Sequence, residues 1–174
     1  MLIRMHKTIY QRMKGDLSRP HPHAWERVGY VFIRPTQGTV LEATDYVPVP
    51  DEFYVRDSSV GAHVDHRAIA LAMKRADHGN EGVLQVHEHG GKGIPQFSPV
   101  DYESHPVYLR SFQNANPRVT HGFLLLSENS MVARVWRPGV RQAFEIYSYK
   151  ITGHGFFDWL KEKIGGVGRR FGNE

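Results

Sequence analysis

The chain has 174 residues, 40% hydrophobic and 23% charged, a balance that suits one globular domain with its own core and excludes a disordered, low-hydrophobicity polypeptide. It contains no cysteine, which excludes disulfides and thiolate metal ligands and leaves nitrogen and oxygen donors for any metal. The net charge of +4 is carried by scattered residues such as Arg34, Arg56, Lys74, Arg110, Arg134 and Arg141, without the clustered stripe of a nucleic-acid binder, so nucleic acid is not expected as a partner.

At the N-terminus, Arg4, His6, Lys7 and Arg12 interrupt the apolar positions of residues 1–14, which breaks up the apolar core a signal peptide requires. No run approaches membrane-spanning length, so the expectation is a cytoplasmic protein without a membrane partner. Residues 2–13 predict a short strand running into a helix, with Ile3, Tyr10 and Met13 inward. Residues 16–23 form a breaker segment around Pro20 and Pro22, and the pair His21 and His23 within it reads as exposed loop. A strand over 28–34, a turn over 35–38 and a partner strand over 39–49 predict a hairpin. Residues 50–62, charged and small around Phe53, Tyr54 and Val55, are expected to frame a groove.

Residues 63–78 place Val64, Ala68, Leu71 and Ala72 on one side at helical spacing, an amphipathic helix on which His63 and His66 read as solvated or capping residues. A buried strand follows over 83–87. Beyond it, residues 99–112 predict a second helix that Pro106 splits into two pieces as readily as it leaves it whole. Strands over 119–127, 131–136 and 143–149 predict a meander. Phe156, Phe157, Trp159, Leu160 and Ile164 suggest a short amphipathic helix packed on the domain or a partner, and residues 165–174 a mobile tail. The fold class expected is α/β, a mixed β-sheet wrapped by helices over residues 1–152, with a C-terminal amphipathic segment and basic tail over 153–174.

The chemistry is concentrated in residues 83–101, V-L-Q-V-H-E-H-G-G-K-G-I-P-Q-F-S-P-V-D. On a strand, His87 and His89 project to one face while Glu88 faces away from them, toward the surface or the back of the site. Gly90, Gly91, Gly93 and Pro95 then turn the chain. Ser98 and Pro99 open the following helix as N-cap and first helical residue, and Asp101 falls in its first turn. Two imidazoles and one carboxylate, His87, His89 and Asp101, make a three-donor set that leaves a tetrahedral zinc (Zn2+) one open position, the arrangement of catalytic rather than structural sites.

H-x-H followed by S-x-x-D resembles the JAMM motif of the JAB/MPN metalloproteases, zinc isopeptidases of the cytidine deaminase-like architecture that act on ubiquitin-like tails. Trp25-Glu26-Arg27-Val28-Gly29 with its apolar continuation is similar to the family's E-x-x-G strand, and Glu26 stands at its start. The sequence departs from the common pattern in having Gly90 after the second histidine, Glu88 between the two, and a loop from His89 to Ser98 one residue longer. The resemblance implies a bacterial-type stand-alone isopeptidase or peptidase in which Glu26 is the general base and Ser98 stabilises the oxyanion. It also implies a ubiquitin-like protein or its conjugates as substrate, with ubiquitin-activating-like and ubiquitin-conjugating-like enzymes as partners, in some cases within antiviral defence. The alternatives are a metallo-hydrolase of small amides and a non-catalytic MPN-like scaffold.

Overall fold

The computed structural model describes residues 1–57 and 59–153, with the backbone alone for His78. The aromatic segment and tail expected beyond residue 153 lie outside the described residues. In chain order the elements are β1 (Leu2–His6), α1 (Lys7–Leu17), β2 (Val28–Pro35), β3 (Val40–Pro48), α2 (His66–His78), β4 (Gly82–Glu88), α3 (Pro99–Ala115), β5 (His121–Leu126), β6 (Met131–Trp136), β7 (Phe144–Ile146) and β8 (Tyr149–Thr152), with a 3-10 turn at Asp51–Phe53. All eight strands join one mixed sheet in the order β7-β6-β5-β4-β2-β3-β1-β8.

The two outermost strands, β7 and β8, are separated in sequence only by Tyr147 and Ser148. A flat sheet of this width would hold its edges about 34 Å apart at ~4.8 Å per strand spacing. Three residues reach at most about 11 Å. The sheet therefore curls until its edges approach, and the Ile3 amide, donating to the Ser148 carbonyl at 3.1 Å, ties the start of β8 to β1.

Curling gives the sheet an inner and an outer face. A cluster to which β1 through β7 all contribute, with Ile151 of β8 packed against it, forms the inside, and α1 completes it with the buried Met13 and Leu17. The outer face of β2 (Val28, Tyr30, Phe32) is covered by Ala68, Ala72 and Ala76 of α2 and Phe112 of α3. Alanine at three successive helical contact positions lets α2 approach the sheet closely, and Phe112 meets Tyr30 edge-on with centroids 6.1 Å apart.

The hairpin, the central strand and the meander form as the patterns predict, with three differences. The helix expected from His63 starts at His66, because the Asp65 side chain accepts from the Arg67 amide as N-cap and so stops the helix short of His63. The strand expected over 143–149 is divided: β7 pairs antiparallel with β6, whereas β8 crosses to pair parallel with β1. Pro106 does not break α3, which runs through it as one helix.

An exposed proline inside a helix removes one backbone hydrogen bond and crowds the preceding turn. Pro106→Ala is therefore expected to raise unfolding free energy by up to about 3 kcal/mol, read from urea denaturation. A lower midpoint in the variant would show that the proline is built into the packing of α3.

Candidate metal centre

The site is assembled by strand register. β2 and β4 pair antiparallel with Val28 opposite His87, and continuing that pairing two residues outward carries Glu26 to a place across from His89. Val83, Gln85 and His87 share the face that α2 and α3 cover, while Leu84 and Val86 enter the inner core. Glu88 follows the inner set. It meets Lys14 Nζ, which also donates to the Ser127 carbonyl at 3.0 Å, and accepts from Ser18 Oγ at 3.4 Å. The expectation that Glu88 points away from the histidines is met, with α1 as its anchor.

Beyond β4 the chain turns through Gly91 (φ +93°) and Gly93 (φ +88°), left-handed conformations open to glycine at little cost. The loop is tied to the β5–β6 turn: Glu128 N–H donates to Gly91 O at 2.9 Å, and Ser127 Oγ to Gly93 O at 2.6 Å. It delivers the chain to Ser98, which opens α3 in a reciprocal cap. Ser98 Oγ accepts from the Asp101 amide at 3.2 Å and donates to Asp101 Oδ2 at 2.7 Å, and the Ser98 amide donates to the same oxygen at 2.6 Å.

These elements bring all five sequence-predicted residues to one cleft of about 950 Å³. His87 Nε2 lies 3.1 Å from His89 Nε2 and 3.2 Å from Asp101 Oδ1. His89 Nε2 is 3.6 Å from Asp101 Oδ2 and 3.7 Å from Glu26 Oε1. Donors at about 2.0–2.1 Å from a tetrahedral zinc are separated by about 3.3–3.4 Å, so two neutral imidazoles and a carboxylate at these separations match its donor set. Glu26, His87 and His89 also place one donor each within 4.8 Å of one another, so two carboxylates flank the histidine pair.

The two carboxylates are held differently. Burial alone would raise the Asp101 carboxyl, but the hydrogen bond and charge of His87 and the two hydrogen bonds from Ser98 outweigh it and hold the group well below the ordinary carboxylate range. Glu26 is positioned through its backbone: the Trp25 and Glu26 amides both donate to Gly61 O, at 2.9 and 3.0 Å. A Cβ on Gly61 would lie 2.4 Å from the Glu26 carboxylate, so only glycine leaves that side chain its place. Sequence reading assigned residues 50–62 to a groove and did not single out Gly61, since nothing local marks a glycine whose neighbour arrives from 35 positions away.

None of the histidines described next stands in the donor group, although His63 and His105 line the same cleft. His21 is part-buried rather than exposed: its ring lies against Tyr54 at 4.2 Å, and Nδ1 accepts from the Ala24 amide at 3.1 Å. His63 sits off the helix on the cleft wall, with Nδ1 3.1 Å from Asp57 Oδ2. His121 is enclosed; its Nδ1 accepts from the Val83 amide at 3.1 Å, so Nε2 carries the proton and donates to Asn116 O at 2.7 Å. His105, one turn after Asp101 on α3, stacks on Phe123 with centroids 3.6 Å apart and leaves Nδ1 buried without a hydrogen-bond partner.

No protein-family model matches the chain, and no curated protein matches it. Among solved structures, the solution structure of a protein from Desulfitobacterium hafniense, a structural-genomics target, is similar with a TM-score of 0.53 at 13% identity over 89% of this chain and 96% of that one. At that identity the likeness concerns the fold alone.

His105 makes acid sensitivity testable. Burial, with further contributions from Arg134 and His87, lowers its pKa to about 4 from 6.5, against an opposing pull from Asp101. The neutral form is therefore favoured in the folded state. Its contribution is complete above pH 6.5 and is lost as pH falls toward 4, where the unfolded chain takes up the proton first. Between pH 7 and pH 5 this group should cost the protein ~2 kcal/mol of stability. His105→Phe, which keeps the aromatic stack, should lose correspondingly less over that interval; equal losses in the two proteins would place the acid sensitivity elsewhere.

Proposed function

We propose that the chain is a cytoplasmic zinc-dependent isopeptidase or peptidase with an MPN-like fold, releasing ubiquitin-like proteins from lysine conjugates or C-terminal extensions. The observation that carries this reading is the convergence of His87, His89 and Asp101 at separations close to a tetrahedron's edge, with Glu26 lining the same cleft 3.7 Å from His89 Nε2. The mixed sheet with helices over its outer face is compatible with the architecture that the JAMM resemblance implies.

His87, His89 and Asp101 would hold the ion. We take Asp101 as the third ligand and Glu26 as the base, because Asp101 Oδ1 stands 3.2 Å from His87 Nε2 and the carboxylate's orientation is locked by Ser98, whereas Glu26 Oε1 stands 3.7 Å from His89 Nε2. Bound zinc supplies a Lewis acid for the amide carbonyl and brings the pKa of an attacking water toward ~7. Glu26 takes the proton from that water as the carbon–oxygen bond forms and returns it to the leaving lysine amine as the carbon–nitrogen bond breaks. Ser98 has its hydroxyl proton on Asp101 Oδ2 in the resting site, so donating to the developing oxyanion requires it to rotate away from that oxygen. Partners on this reading are a ubiquitin-like protein and the activating-like and conjugating-like enzymes that attach it.

Protein purified without added metal should contain about one zinc per chain, and His89→Ala should lose it; unchanged metal content in that variant would remove the ligand assignment.

Glu26→Gln separates the two carboxylate roles. With Glu26 as base, zinc content should stay at the wild-type level while release of a ubiquitin-like protein from a lysine-linked or C-terminally extended fusion falls by a factor of roughly 10²–10⁴. Loss of zinc in the variant would make Glu26 a ligand instead. A zinc-loaded wild type that cleaves no such fusion would move the small-amide hydrolase or the scaffold ahead.

A further inference from the structure

At the end of the sheet away from the metal centre lies a second, smaller pocket of about 270 Å³, bordered by Pro35, Arg118 and Arg137 among others. Pro35 ends β2, whose first residue, Val28, lines the metal cleft, so the two sites stand the length of that strand apart, about 23 Å at ~3.3 Å per residue.

The pairing of β5 with β6 brings the two arginines together. His121 stands opposite Trp136, so one step outward Arg137 falls across from Thr120, and Arg118 precedes Thr120 by two residues. A diagonal of that kind spans about 7–8 Å, which is the width of a pocket this size. Their charges are uncompensated. Eight other arginines meet a carboxylate, as Arg27 does Asp51 and Arg134 does Glu145, whereas among the described residues Arg118 and Arg137 meet none and no Asp or Glu borders the pocket. The Arg137 guanidinium carbon lies 5.8 Å from the Phe144 ring centroid, a contact that leaves its N–H donors free. Two cations bordering one small pocket repel each other, and an anion between them converts that repulsion into attraction.

A guanidinium fork engages two oxygens of one anion at once. A tetrahedral phosphate presents oxygens to two forks together, whereas one fork fills a planar carboxylate. Thr39 and Thr120 also border the pocket with their hydroxyl-bearing side chains, while Val40, Leu41 and Val119 give it an apolar wall. We infer that this pocket is a binding site for a phosphate group, held by Arg118 and Arg137 and separate from the metal centre. It does not rest on the hydrolase reading.

The test titrates the full-length protein calorimetrically with inorganic phosphate, phenyl phosphate and acetate at fixed ionic strength. One phosphate group per chain is expected to bind saturably, about tenfold or more tighter than acetate. Arg118→Gln and Arg137→Gln, both at exposed positions, should each weaken phosphate binding about tenfold or more, the scale of one hydrogen bond to a charged group, and leave the thermal midpoint of the ligand-free protein unchanged. Because bound zinc itself attracts phosphate, the titration is repeated on His89→Ala, where this binding should persist. Phenyl phosphate binding tighter than the inorganic ion supports the site and identifies its ligand as an organic phosphate ester seated on the apolar wall; an equal or weaker affinity supports it with free phosphate as the ligand. No saturable binding, an affinity that survives both Gln substitutions, loss of binding in His89→Ala, or acetate bound as tightly as phosphate overturns the site.

Discussion

The antiparallel register of β2 on β4 is the constraint from which the rest of the site follows. With Val28 opposite His87, the side chains on the α2 and α3 face of both strands are determined at once, since a slip of one residue would turn every one of them over. The histidines would then face the inner core, where Leu84 and Val86 now sit, and Glu88 would take their place. Burying two imidazoles among aliphatic side chains without partners is unfavourable by several kcal/mol, so the apolar pattern of β4 and the position of the histidines enforce the same register.

Two local devices complete what the register begins. The reciprocal cap at Ser98 and Asp101 is a helix-starting motif, yet it also orients Asp101 so that one oxygen is engaged by the cap and the other faces His87. Gly61 supplies the counterpart for Glu26, with a carbonyl that receives two amides and an absent side chain that leaves room for a carboxylate. In both cases a backbone group takes part in orienting the acid, the Ser98 amide together with its hydroxyl for Asp101 and the Gly61 carbonyl for Glu26, which suits a site whose donors must keep one arrangement.

Below these donors the cleft is lined by aromatic groups. His105 and Phe123 stack on its wall, and the buried Phe97 packs behind them with its ring centroid 6.5 Å from that of His87 and 4.9 Å from that of His105. Such surroundings strengthen the interaction of charged groups held beside them and disfavour a charge on His105 itself. The same wall therefore links the electrostatics of the site to the acid stability of the domain.

Much of this was legible in the chain because it is local. Alternation places His87 and His89 on one side of a strand, Ser98-Pro99 starts a helix, and spacing puts Asp101 in its first turn; each depends on a few consecutive residues and on backbone geometry that any context preserves. The JAMM-like order of residues pointed to Glu26 as well, although its distance from the histidines in sequence says nothing of its distance in space. What only the tertiary structure decided were the pairings between distant segments: the register that carries Glu26 to His89, the return of β8 to β1 that curls the sheet, the continuity of α3 through Pro106, and the arrival of Gly61 beneath Glu26. The physical reason is the same for each. Strand pairing and close backbone approach are chosen by the summed burial of a whole sheet and its helices, a sum over residues far apart in the chain that no short pattern contains.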